Sequence, residues 1–294
     1  MTIPSGSVLI SALVSGLLLG GLFAVTALGL SLVFGVMRLV NLAHGELVVL
    51  GAYLALELSR HAGLDPLLTI PVVAAALFVI AAPVQRVLLE PLMPRGPEPG
   101  LLTTFALSVI AQNLFILIWS GDTQTLQASY ATSSVTVAGI QLPATYLISF
   151  CCALVLATAV HLLLHRTGLG RQIRASSEDA EAAAVLGVNV ARVHTLVFGL
   201  AAACAAIGGV LVGVTFDFTP TTGITYLISG FTVVVLGGLG SVKGTLLGAI
   251  GLGVIENAGA AFFGDSYRDF IGFAAFLVVL SLRPQGLFGR VLPQ

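Results

Sequence analysis

The sequence predicts an all-α polytopic membrane protein: a single bundle of about eight to ten transmembrane helices, some broken or re-entrant. Three observations predict it. Of 294 residues, 57% are hydrophobic and only 9% charged, against roughly 25% charged in a soluble globule, and the mean hydropathy is +1.07. Apolar runs recur at about the 20 residues that a helix needs to cross a hydrocarbon core. Most of the arginines lie in alternate connecting segments.

In chain order the candidate spans are 8–34, 39–58, 67–88, 101–119, 142–164, 193–215, 224–239, 246–263 and 270–282. The first is too long for the apolar part of a signal peptide and MTIPSGS before it has no basic flank, so no cleavable leader is expected. The last three are short, which suits broken or re-entrant helices. Arg86 and Arg95 share one connection, Arg166, Arg171, Arg174 and Arg192 another, and Arg283 and Arg290 lie in the tail, whereas 121–141 has neither Lys nor Arg. The positive-inside rule then places the N-terminus outside and the C-terminus in the cytoplasm. An odd number of crossings satisfies that assignment.

The connections are too short for a second folded domain, so 1–294 is expected to form one transmembrane domain. Its 34 glycines include the pairs Gly20-Gly21, Gly208-Gly209 and Gly237-Gly238, and most are expected to let helices approach closely. Cys151, Cys152 and Cys204 all lie in apolar runs, with neither disulfide nor metal-ligand spacing.

Two kinds of segment break the apolar pattern. The first is NLAHGE, with Asn41, His44 and Glu46 in six positions. An ionisable residue at mid-membrane costs about 2.5–3.5 kcal/mol on insertion scales, so these groups should have partners rather than face lipid. On a continuous helix Asn41, His44 and Gly45 would share a face while Glu46 points about 200° away from His44, so those two should not touch. Glu46 is expected to meet backbone N–H groups of a neighbouring broken helix, Asn41 to cap the helix start, and Gly45 to permit a break. Either the group shapes a translocation path or it fixes packing by buried hydrogen bonds. Glu256 and Asn257, in GLGVIENAGAAFF, raise the same question in the second half.

The second is 166–192, RTGLGRQIRASSEDAEAAAVLGVNVAR, which combines four arginines with Glu178, Asp179 and Glu181. Ser176 followed by Asp179 fits a helix start, and Gly187 offers a stop, which predicts a cytoplasmic helix over 177–186. Small residues at Ala180, Ala183 and Ala184 leave a shallow face for a partner protein. The residues expected to serve such docking are Arg171, Arg174, Ser177, Glu178, Asp179, Glu181, Ala184 and Gly187. The alternative is a solvated loop helix.

Enzyme motifs are absent. GGLGSVKGT lacks the Gly that a phosphate-binding loop needs immediately before its Lys, since Val242 precedes Lys243. His44-Gly45-Glu46 has no companion P-C-x-x-C, and neither HExxH nor GxSxG occurs. No metal is expected.

Four stretches in order, GLFAVTALGLSLVFGVMRLVNLAHGELVVLGAYLA, GRQIRASSEDAEAAAVLGVN, VVLGGLGSVKGTLLGAIGLGVIE and RPQGLFG, resemble the permease subunits of bacterial ABC importers for branched-chain amino acids. Residues 170–189 match the loop by which that family couples to its ATPase. Lys243 departs from the uncharged residue expected there. The resemblance implies a multi-pass protein of the bacterial inner membrane. Its implied partners are a second homologous permease, two ATP-binding subunits that hydrolyse ATP, and an extracytoplasmic solute-binding protein, with no cofactor bound by this chain and no nucleic acid. Permeases for urea or short-chain amides are similar over the same stretches. An ion-coupled secondary transporter using His44 with Glu46 or Glu256, or an intramembrane hydrolase, would be the readings from other classes.

Overall fold

The computed structural model describes residues 6–137 and 140–282. These form α1 (Gly6–Met37), α2 (His44–Ala62), α3 (Pro66–Val84), α4 (Pro97–Trp119), α5 (Ala144–Arg166), α6 (Gly168–Glu178), α7 (Ala180–Val185), α8 (Val190–Thr215), α9 (Gly223–Gly237), α10 (Val242–Phe263) and α11 (Arg268–Leu282). A small antiparallel hairpin, β1 (Ser134–Val137) with β2 (Ile140–Pro143), precedes α5. The all-α polytopic class therefore holds, and each predicted span falls on a helix. Among the described residues six helical stretches are long and apolar enough to cross a membrane: α1, α3 with its continuation to Arg95, α4, α5, α8 and α10. α9 is apolar but has only 15 residues. RPQGLFG and the arginines of the tail lie outside the described residues.

α1 and α8 form the centre, buried along most of their lengths. They are closely approached because their neighbours present backbone rather than side chains. Gly16 and Gly20, four residues apart on α1, face Gly253 and Ile250 of α10, and a Cβ at Gly16 would lie 2.6 Å from Gly253 O. This is the small-residue packing by which membrane helices gain dispersion energy without a hydrophobic drive. Ser31 of α1 accepts a 2.8 Å hydrogen bond from Thr245 of α10 at the same interface. At the periphery α4 buries only Gly100, Thr104 and Phe115.

Two connections turn back into the bundle. α1 ends at Met37, and Arg38, at φ +51°, closes it by donating its N–H to Phe34 O. Residues 38–43 are not helical. α2 then begins beside the middle of α1, for His44 Nε2 lies 2.7 Å from Thr26 O. Thr26 is about eleven residues before Met37, roughly 16 Å along the helix, a gap that six extended residues can just span. The predicted span 39–58 is thus corrected: its first five residues are return chain. Likewise 216–222 turn in after α8, held by the bridge between Gln124 and Phe218, and α9 starts inside the bundle at Gly223.

Candidate functional site

The starts of α2 and α9 meet. A Cβ on Gly45 would overlap the Gly223 carbonyl, and one on Gly223 would sit 2.6 Å from Glu46 Oε2. Two helix N-termini, each equivalent to roughly half a positive charge, therefore converge on one carboxylate. Glu46 lies in the first turn of α2 and against the first residue of α9. Its Oε1 accepts a 3.2 Å hydrogen bond from Ser108 of α4.

Irregular backbone inside a membrane protein must be satisfied by the protein itself, and α4 does this for the return chain. Leu42 N–H donates to Thr104 Oγ1 at 3.2 Å, and the Thr104 hydroxyl lies 3.3 Å from Val40 O and 3.0 Å from Leu101 O. Thr104 and Ser108 are one helical turn apart, so one face of α4 serves both the return chain and Glu46. His44 fits because Gly29 has no side chain: a Cβ there would lie 2.9 Å from the imidazole Cε1.

Several expectations change here. Asn41, His44 and Gly45 do not share a helical face, because residue 41 precedes the helix. Asn41 does not cap α2: its Oδ1 accepts from Ala43 N–H at 3.1 Å, a turn before the helix, and Ala43 is the N-cap residue without a side-chain bond. Glu46 meets a hydroxyl and the edge of Gly223 rather than accepting backbone N–H groups. Gly45 is a contact point, not the break. Among the described residues no hydrogen bond or ion pair joins His44 to Glu46, as expected. Asn257 is satisfied within its own helix by Gly253 O at 3.1 Å, and Glu256 lies apart, between α10 and α11. Thr26, Thr104, Ser108 and Gly223 were not singled out from sequence. The hydroxyls at 104 and 108, one turn apart in an apolar run, were the available signal.

Among the described residues Asn41 Nδ2, His44 Nδ1 and Glu46 Oε2 are buried without hydrogen-bond partners. Glu46→Gln keeps the Ser108 bond and is expected to preserve assembly and part of any transport. Glu46→Leu strands the Ser108 hydroxyl and faces two helix starts with hydrocarbon, at about 1–3 kcal/mol per unpaired group. A lower monodisperse yield on size exclusion for Leu than for Gln is the expected result. Equal yields with transport lost in both would assign the carboxylate a charge-dependent role.

The segment 166–192 folds as two helices rather than one. Thr167 caps α6 by accepting from Gly170 N–H at 2.9 Å. Ile173 and Ser176 are buried, so Ser176 is an interior residue of α6 and not a helix start. The break falls at Asp179, extended at φ −151°, ψ 106°, whose Oδ1 accepts from Glu181 and Ala182 N–H groups at 3.0 and 2.9 Å. The predicted helix over 177–186 is corrected to α7, six residues long. Ser177 ends up on α6, its hydroxyl donating to Arg174 O at 2.8 Å. Arg174 is a brace, its guanidinium donating to Leu164 O at the end of α5. Arg171, Glu178, Glu181 and Ala184 are exposed.

Gly187 does end the helix. It adopts φ +86°, Val188 N–H donates to Ala183 O and Gly187 N–H to Ala184 O, both at 3.0 Å, the paired bonds of a left-handed C-terminal motif. Beside it Val185 and Leu186 are 88% and 82% exposed. α7 thus ends in an apolar tip that nothing in this chain covers among the described residues, while the buried Ala183 anchors its other side.

A family model described as "Branched-chain amino acid transport system / permease component" matches residues 12–280. The chain belongs to this family. It is 32% identical over 291 residues to the high-affinity branched-chain amino acid transport system permease protein BraD of Pseudomonas aeruginosa, covering 95% of each chain. Against the LivH permease protein of the corresponding system in Escherichia coli K12, identity is 29% over 301 residues, with 94% of each chain covered. A probable branched-chain amino acid transport permease protein LivH of Methanocaldococcus jannaschii is 28% identical over 91% of this chain and 89% of its own. No solved structure matches the chain.

The family match includes both helix starts and the whole of α6 and α7, so the two regions described above are parts of a membrane permease. Among the permease's described residues no group of three or more His, Cys, Asp or Glu could hold a metal ion.

Proposed function

We propose that this permease is the translocation-pathway subunit of an ATP-driven ABC importer for branched-chain or related hydrophobic amino acids. It works in the bacterial inner membrane with its N-terminus outside, its C-terminus in the cytoplasm and the whole of 1–294 as one domain. A second homologous permease, two ATP-binding subunits and an extracytoplasmic solute-binding protein complete the machine. The chain binds no cofactor, and ATP is hydrolysed by the partner subunits.

The observation that carries this reading is the meeting of α2 and α9 inside the bundle of a chain from this family. Discontinuous helices are the usual means by which transporters place polar backbone at membrane depth. The contact at Gly45 and Gly223 joins two short helices through a backbone seam. A relative tilt at this contact would open or close the seam, and α9 is the mobile side, because α2 is tied to α1 by His44 on Thr26 and to α8 by Gly51 against Ala206. Glu46 faces the seam, with Asn41 in the return chain and His44 against Thr26 of α1 as positioning groups. The exposed tip of α7 supports coupling, since a chain without a nucleotide-binding loop needs a surface through which hydrolysis elsewhere moves it.

The test is solute selectivity in proteoliposomes holding the permease with its partners. Leucine, isoleucine and valine are expected to accumulate and to compete with one another, whereas urea and acetamide are excluded. Accumulation of urea with exclusion of leucine would contradict the proposed substrate class.

A further inference from the structure

Between α9, α10 and α11 lies a cleft of about 140 Å³, close to the roughly 150 Å³ of an apolar cavity that accepts benzene. Its lining is apolar at Ile228, Leu252 and Phe273. It also carries the carboxylates of Glu256 and Asp269 and the hydroxyls of Ser229 and Thr232. Glu256 is 4% exposed, and among the described residues it makes no hydrogen bond or ion pair. It cannot retreat into α11, because Gly272 lies so close that a Cβ there would sit 2.5 Å from Oε1. Asp269 is exposed at the cleft's edge and makes no hydrogen bond or ion pair among the described residues. The neighbouring cation, Arg268, pairs through Nη2 with the exposed Asp265 at 2.8 Å, and its buried Nε has no partner among the described residues.

A buried carboxylate without a donor is costly, so such sites hold a proton, an ion or a cationic ligand. A bare ion would leave the apolar part of the lining uncovered. We propose that this cleft receives a free amino acid, its α-ammonium group between Glu256 and Asp269 and its aliphatic side chain on Ile228, Leu252 and Phe273. The inference rests on the transport reading above. Glu256 lies about 10 Å from the Phe263 end of α10, and Asp269 is in the first turn of α11. Under the proposed topology the cleft is therefore near the outer surface, where solute arrives.

The test uses the complete transporter in nanodiscs, with Cys151, Cys152 and Cys204 replaced by alanine and Ser229→Cys as reporter. A trimethylammonium methanethiosulfonate should modify this cysteine about tenfold faster than the sulfonate reagent, because clefts lined by one sign of charge concentrate counter-ions. That preference should fall in Asp269→Asn and again in Glu256→Gln. Millimolar leucine should slow modification several-fold, whereas the 2-hydroxy acid of the same skeleton, which lacks the ammonium, should not.

Equal protection by leucine and the hydroxy acid would overturn the proposal, as would no protection, or a reporter inaccessible in the assembled complex. Protection by sodium chloride over choline chloride in the absence of leucine would assign the site to an inorganic cation instead. If Glu256→Gln fails to assemble, the reagent preference and leucine protection of the reporter alone decide. ATP-driven leucine uptake is measured on the same preparation: uptake without protection overturns only the cleft, and no uptake overturns the transport reading.

Discussion

Gly45→Ala will deplete the correctly assembled permease. The new Cβ meets the Gly223 carbonyl, a backbone atom that cannot rotate away, at a point where both helices begin. Relief requires moving α2 or α9 bodily, and α2 is fixed by His44 on Thr26 and by Gly51 against Ala206. Overpacking of a well-packed core costs about 1–3 kcal/mol, occasionally more, and this site belongs at the upper end because only backbone can yield. Gly223→Ala should be milder, since the first group it meets is the Glu46 side chain. The check is monodisperse yield after detergent extraction at equal expression. Equal yields for Gly45→Ala and wild type would mean that the two helix starts are not in contact.

Ala184→Trp will leave the bundle inserted but separate it from its ATPase. Ala184 is exposed, so the indole has room in the isolated chain and any loss must come from a partner's wall. Gly187→Val acts differently. No heavy atom lies within 4 Å of a Cβ at Gly187, so valine meets no obstacle, yet φ +86° strains a β-branched residue by about 1–3 kcal/mol. The turn after α7 should then redirect Val185 and Leu186. Both variants should copurify with less ATP-binding subunit and hydrolyse ATP without uptake. Normal copurification and uptake in Ala184→Trp would return α7 to the reading of a solvated loop.

Most of the fold was legible because hydrophobicity at membrane length leaves helix as the only economical backbone for an open chain. Gly187 was legible for a local reason: a helix stop that needs positive φ selects glycine. The segment 38–43 was not, because Leu39, Val40, Leu42 and Ala43 suit a helix as well as a return chain. What decides between them is Thr104 on α4, about sixty residues away. Gly223 escaped notice for the same reason, since its role is to lie against Gly45 and Glu46. At 176–179 the helix-start pattern pointed to Ser176 as the cap, but Ser176 is buried within α6 and Asp179 caps α7 instead.

The most direct test of the transport account is the energy source for leucine uptake. The permease is reconstituted with its ATP-binding subunits, second permease and solute-binding protein in proteoliposomes. Labelled leucine should accumulate when ATP is enclosed on the side of α7, and should not when a proton gradient is imposed without nucleotide. Uptake driven by the gradient alone would contradict the account.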